Sequence, residues 1–212
     1  MVLNEKKINT LFLYWLISSL ILVFFIIMIG GLTRLTDSGL SITNWELFKG
    51  ILPPLNDITW NTYFEKYKQI PQYKILNSDM SLGEFKVIFY WEYIHRMLAR
   101  LIGLFFLIPL IFFYLSKKIN TNYMKSCYII FFLIIIQGII GWYMVMSGLV
   151  NEVTVSHYRL STHLITAFII ICSIFWLIKN VVTNNFKFFF KISKLNFPFQ
   201  LLIILIFIQL IL

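Results

Sequence analysis

The sequence predicts an all-α, polytopic membrane protein: a transmembrane four-helix bundle, the start of a fifth transmembrane helix, and an outer-face cap loop between the first two helices. Three observations predict it. Only 13% of the 212 residues are charged and 59% are hydrophobic, against about 25% charged in a soluble chain, so much of the surface has to meet lipid. The apolar residues come in runs of membrane-spanning length. The net charge of +9 gathers in alternate connections between those runs, as the positive-inside rule requires. That distribution accounts for the basic balance without nucleic acid as a partner.

The elements follow in order. A span needs about 20 mostly apolar residues, and the first candidate is Leu11–Gly31. Lys6 and Lys7 precede it as they would a signal peptide, but the run is too long for a signal h-region and has no small-residue cleavage site, so it reads as a retained helix. Residues 32–86 form the cap. They hold six basic and six acidic residues, with Trp45, Trp60, Tyr63, Phe64, Tyr67 and Tyr73, and such an aromatic-rich segment is expected to lie on the membrane face. Ile58–Gln69 reads as a short amphipathic helix, while Pro53, Pro54 and Pro71 signal turns. The remaining spans are Val87–Leu115, Met124–Met146 and Tyr158–Ile178, and a fifth apolar run covers Phe197–Leu212. The fifth run stops without a polar flank and is expected to be the start of a second, truncated bundle. Residues 1–195 are then one N-terminal unit and 196–212 the beginning of another.

Charge sets the orientation. The N-terminal tail and the Ser116–Tyr123 and Lys179–Asn196 connections, with Lys125 just inside the third span, carry nine lysines and one acid, Glu5. They are expected to be cytoplasmic. The balanced cap and the Ser147–His157 loop, with Glu152 as its charged residue, lie outside. The two cysteines, Cys127 and Cys172, sit in apolar runs as plain apolar side chains and do not reveal the redox compartment.

Ionisable groups within spans are costly and mark candidate sites. They are Glu92, His95, Arg96, Arg100, Arg159 and His163, all near the outer ends of the second and fourth spans. His95 lies about 12 Å and His163 about 8–9 Å along their helices from the expected points of entry, at 1.5 Å per residue. Two helices running in the same direction thus present one imidazole each at similar depth, a way of holding haem iron from both sides. Two unrelated hydrogen-bonded histidines would satisfy the same spacing. Glu92 shares a helix face with His95 and can stabilise positive charge or take a proton, or it can pair with Arg96 or Arg100. Arg96, Arg100 and Arg159 suit haem propionates, or they reach for lipid headgroups. His157 sits at a helix mouth and reads as non-ligating. Gln137, Gly138 and Gly141 read as small-residue packing with one hydrogen-bonding side chain.

Several blocks, in order, resemble haem A synthase. They are Gly31-Leu-Thr-Arg-Leu-Thr-Asp-Ser-Gly-Leu-Ser-Ile, Trp45, Gly50-Ile-Leu-Pro-Pro-Leu, and Glu65-Lys-Tyr-Lys-Gln-Ile-Pro-Gln-Tyr-Lys-Ile-Leu-Asn. Glu84-Phe-Lys-Val-Ile-Phe, Glu92-Tyr-Ile-His-Arg, Gln137-Gly-Ile-Ile-Gly-Trp-Tyr-Met-Val-Met-Ser-Gly-Leu and Tyr158-Arg-Leu-Ser-Thr-His-Leu complete the set. The resemblance covers roughly residues 8–178, and a long cap loop without cysteines is similar to the proteobacterial and mitochondrial subgroup.

The resemblance implies an oxidoreductase that converts the C8 methyl of haem O to the formyl of haem A through successive hydroxylations, with water as oxygen source. It implies eight spans in two similar four-helix bundles, the first binding haem O and the second, which this chain lacks, a haem b cofactor. It implies that His95 and His163 are iron ligands and that Glu92 is catalytic. The partners it implies are haem O, membrane lipid, a haem O synthase, a terminal oxidase assembly pathway, and the missing C-terminal half or a second copy of the chain. The location implied is the inner membrane of a bacterium, with the N-terminus cytoplasmic. A b-type cytochrome that only passes electrons, or a non-catalytic haem carrier, remains an alternative.

Overall fold

The computed structural model describes residues 5–44, 49–149, 153–188 and 197–211; Trp45, Glu152, Lys191 and Lys194 lie outside the described residues. Those residues form an all-α fold: α1 Glu5–Leu35, a 3-10 turn at Lys49–Ile51, α2 Asp57–Tyr67, α3 Pro71–Leu76, α4 Leu82–Ser116, α5 Thr121–Gly148, α6 His157–Val182 and α7 Phe197–Ile211. Four of them, α1, α4, α5 and α6, are long and apolar enough to cross a membrane. The chain is therefore a multi-pass membrane protein, as the sequence predicts. The fifth apolar run is helical over 15 residues.

The helices outrun their apolar cores. α1 continues past Gly31 because small polar side chains fold back on it: Thr33 Oγ1 donates to the Gly30 carbonyl at 2.7 Å and Thr36 Oγ1 to the Leu32 carbonyl at 2.8 Å. Asp37, at φ 49°, then takes a left-handed turn out of the helix. α4 begins at Leu82 rather than Val87 because Ser81 and Glu84 form a capping box. The Glu84 carboxylate accepts from Ser81 N and Oγ, both at 2.8 Å, while Ser81 Oγ accepts from Glu84 N at 3.3 Å.

The chain packs as two units, and α1, α4, α5 and α6 each contribute residues to both. One unit draws on residues up to 24, 101–137 and from 164 onward. Its core holds Phe12, Leu16, Phe106, Cys127, Ile130, Ile174 and Leu177. Pro109 lies inside α4 and has no N–H for the carbonyl four residues back, that of Phe105. The indole Nε1 of Trp15 donates to that carbonyl at 3.1 Å, so the proline leaves no acceptor stranded in an apolar setting. Cys127 is buried, Cys172 exposed, and neither is in a disulfide.

The other unit comprises residues 25–100 and 138–163 and contains the cap. Asn56 starts α2, its side-chain oxygen accepting from Thr59 N at 2.8 Å. Trp60, Phe64 and Tyr67 then share one helix face and are buried with Leu40, Ile70, Phe85, Ile88 and Phe89. Ring centroids of Phe64 and Phe85, and of Trp60 and Phe89, lie 5.0 Å apart. The aromatic face of the cap is thus spent on α4, while Ile58 on the opposite side of α2 stays exposed. The turn signalled at Pro71 is made by residues 68–70, and Pro71 itself opens α3 as its first residue, where a missing N–H costs nothing. Buried Gln72 ties the cap back to the end of α1, donating through Nε2 to the Asp37 carbonyl at 3.0 Å.

Candidate functional site

All six intramembrane ionisable residues singled out above fall in the cap-bearing unit. α4 places Glu92, His95, Arg96 and Arg100; α6 places Arg159 and His163. The longer α4 puts His95 roughly 20 Å from its first residue at 1.5 Å per residue, against about 9 Å for His163 in α6. Counted from Val87, where the span is expected to enter the membrane, His95 lies about 12 Å along α4. The first turns of α4 pack against the cap through Phe85, Ile88 and Phe89.

Glu92 is the most constrained of the set, at 3% exposure. Its Oε2 accepts from Ser41 Oγ at 2.6 Å and from Ile42 N at 2.8 Å. Its Oε1 accepts from both Nε and Nη2 of Arg96, one turn along α4. Arg96 Nη2 also donates to the Ile42 carbonyl at 3.1 Å. The peptide groups on both sides of Ile42 are therefore held by one ion pair, its N–H by the carboxylate and its C=O by the guanidinium. Leu40 supports this loop from below: it is 1% exposed and lies against Gly148 of α5, where an added Cβ would come within 2.7 Å of Leu40 Cδ2.

The histidines are seated differently. Each ring packs against a glycine of the preceding long helix, His95 against Gly30 of α1 and His163 against Gly141 of α5. Nδ1 of His95 is buried and has no hydrogen-bond partner. Arg100 Nη1 donates to the Gly50 carbonyl at 2.9 Å, and with Arg96, Tyr93, Asn44 and Tyr63 it lines a narrow cleft between the cap and α4. Arg159 stands apart, its guanidinium 4.1 Å from the Tyr143 ring centroid and its Nη1 donating to the Tyr143 carbonyl at 3.3 Å. His157 is exposed at the start of α6.

Residues 13–212 match the family of cytochrome oxidase assembly proteins designated COX15-CtaA. The chain belongs to that family. Similar proteins include the heme A synthases of Pelagibacter ubique, 56% identical over 91% of this chain and 57% of that one, and of Flavobacterium psychrophilum, 43% identical over 83% and 52%. The heme A synthase of Nitrosomonas eutropha is 48% identical over 80% of this chain and 48% of its own length. The chain spans about half the length of the curated relatives it matches. No solved structure matches it.

For a COX15-CtaA chain the donor set can be tested against a metal group. Among the described residues no cluster of three or more His, Cys, Asp or Glu could hold a bare ion. Two imidazoles suffice where a porphyrin supplies the other four donors, and the half-buried His95 and His163 fit haem iron in that way. The orphaned, buried Nδ1 of His95 points to the same chemistry, because a buried polar atom left without a partner is costly in an ordinary core.

Ser41, Ile42, Gly30 and Gly141 touch Glu92, His95 and His163 in the COX15-CtaA chain, and these contacts escape a reading of single residues. Ser41 and Ile42 act on Glu92 across about fifty positions of sequence, and no local period connects a loop serine to a helical carboxylate. The glycines left a weak signal, since Gly costs helix stability and needs a reason to sit mid-helix.

Proposed function

We propose that the chain supplies the haem O site of a haem A synthase, which oxidises the C8 methyl of haem O to the formyl group of haem A for terminal oxidases. His95 and His163 hold the iron from two sides, and Glu92 is the catalytic carboxylate. Arg96, Arg100 and Arg159 supply the positive charge that the haem carboxylates need. The observation that carries this reading is the arrangement in one unit of two half-buried histidines, each seated on a glycine, with a buried carboxylate three residues from one of them. The names of the similar proteins support it.

Converting a methyl with water to a formyl releases two pairs of electrons with their protons, and positive charge builds at the carbon as they leave. A bound haem supplies the iron porphyrin on which that oxidation takes place. The chain's own contribution is electrostatic. With both oxygens engaged by Ser41, Ile42 and Arg96, Glu92 is a fixed negative charge whose orientation needs no adjustment as positive charge develops. Burial at 3% exposure keeps water from screening it.

The wider setting belongs to the same proposal. The N-terminus is cytoplasmic and the site faces the outside of a bacterial inner membrane, because the lysine-rich connections alternate with the balanced cap. A haem O synthase provides the substrate, and a second four-helix bundle, held by the remaining half of the whole protein, carries a haem b that passes electrons onward. Residues 1–195 are the unit that binds substrate.

The test is to produce the chain in a haem-O-making host, purify it in detergent, and identify its haem by chromatography and absorption. The expected result is bound haem that is lost in His95→Ala and His163→Ala. A hydroxymethyl or formyl haem would show that these residues turn over by themselves. Unmodified haem whose spectrum is unchanged in Glu92→Gln, with no haem A formed by the whole protein, would turn the reading to an electron-passing cytochrome or a carrier. A helical preparation with no haem would sink it.

A further inference from the structure

We infer that Gly30 and Gly141 are positioning residues for the two imidazoles: each is a notch in the wall of one helix that sets how deep, and in which plane, the histidine of the next long helix sits. The inference rests on the haem reading of His95 and His163. A Cβ built on Gly30 would lie 3.0 Å from Cε1, 3.5 Å from Nδ1 and 3.9 Å from Nε2 of His95; one built on Gly141 would lie 3.0, 3.5 and 3.8 Å from the same atoms of His163. The same ring edge faces the glycine in both cases. The pairs α1 with α4 and α5 with α6 thus repeat one device, although a long folded cap joins the first pair and a short loop the second.

The contact leaves no room for a side chain. Carbon atoms pack best at about 3.5–4.0 Å, so a methyl at 3.0 Å has to push the ring aside by about half an ångström. That is the tolerance, about 0.5 Å, within which a site holds its working geometry. Small residues in membrane helices commonly serve only the close approach of backbones, but the neighbouring glycines argue against that reading. Gly31, beside Gly30, and Gly138, one turn before Gly141, have nothing within 4 Å of an added Cβ. On these two faces, close contact follows the histidines.

The two uninvolved glycines are matched controls. The haem-loaded 212-residue chain would be compared with Gly30→Ala, Gly141→Ala, Gly31→Ala and Gly138→Ala by optical and electron paramagnetic resonance spectroscopy. The expected result is loss of the low-spin, two-histidine signature in Gly30→Ala and Gly141→Ala, restored by free imidazole, and no change in the two controls. Retention of the wild-type signature in Gly30→Ala and Gly141→Ala, while His95→Ala and His163→Ala abolish it, overturns the notch and leaves the haem reading intact. Retention in the histidine variants as well removes the haem reading and the inference together.

If the alanine variants accumulate poorly, a cycle without haem decides. Melting of haem-free Gly30→Ala is compared in the presence and absence of His95→Ala, and that of Gly141→Ala in the presence and absence of His163→Ala. A notch made for the ring predicts that each glycine defect disappears once its ring is gone. A defect that persists assigns the glycine to helix packing and refutes the inference.

Discussion

Replacing Glu92 with glutamine is the most informative single change in this protein. The native carboxylate accepts four hydrogen bonds, two from Ser41 and Ile42 and two from Arg96. An amide has one acceptor oxygen and one donor nitrogen. Either the oxygen faces Arg96 and the NH2 collides with the Ile42 N–H, or the oxygen faces the loop and the NH2 opposes a guanidinium. In both orientations the Arg96 charge loses its counter-charge where its side chain is only 12% exposed. Surface ion pairs are worth about 0–1 kcal/mol, but stranding one member of a buried pair costs about 3–5 kcal/mol, and the second figure applies here. Unfolding of the purified protein in mixed micelles, followed by circular dichroism, would measure it. Removing the stranded charge should recover part of the loss, so Glu92→Gln with Arg96→Met should be less destabilised than the sum of the single changes, with a coupling within the ~0.5–3 kcal/mol seen for contacting groups. A Glu92→Gln variant as stable as wild type, or strictly additive effects, would refute the claim that this ion pair fastens the loop at Ile42 to α4.

Three further predictions concern the cap. The Tyr67 hydroxyl is buried, donates to Gln72 Oε1 at 3.0 Å and accepts from Asn77 Nδ2 at 2.7 Å, so Tyr67→Phe should cost about 1–3 kcal/mol by orphaning those two groups, read as faster proteolysis of the segment between α1 and α4. Burial holds the Tyr67 hydroxyl above its ordinary value of 10.0; the neutral form is the one the fold favours, so its stabilisation is complete below pH 10 and declines as pH rises past that point through the higher folded value. Alkaline titration of cap hydrogen exchange should show this decline, and Tyr67→Phe should flatten it. Trp60, 5% exposed and ringed by Phe85, Phe89 and Tyr90, should cost about 3–5 kcal/mol on truncation to alanine; a loss below 1 kcal/mol in the same unfolding assay would mean that the cap does not depend on its aromatic face.

What the sequence by itself determined is the part governed by local composition and period. Four apolar runs of spanning length give four long helices because a backbone in lipid has to bond within its own segment. Two histidines and a glutamate in those runs stand out because such groups are rare there. The amphipathic spacing of Trp60, Phe64 and Tyr67 gives α2, and Ser81 with Glu84 carried an unused signal for the true start of α4. Only the tertiary structure decided what those residues do for one another. Whether Glu92 pairs with Arg96 or Arg100 was open in the sequence, because both lie within helical reach of it. The fold settles on Arg96 by folding Ser41 and Ile42 into place above the carboxylate. Gly30 and Gly31 are indistinguishable as neighbouring letters, yet one faces an imidazole and the other faces nothing. The physical reason is the same in both cases: hydropathy and period fix which face of a helix is buried, while the partner on that face is set by the packing of segments distant in sequence.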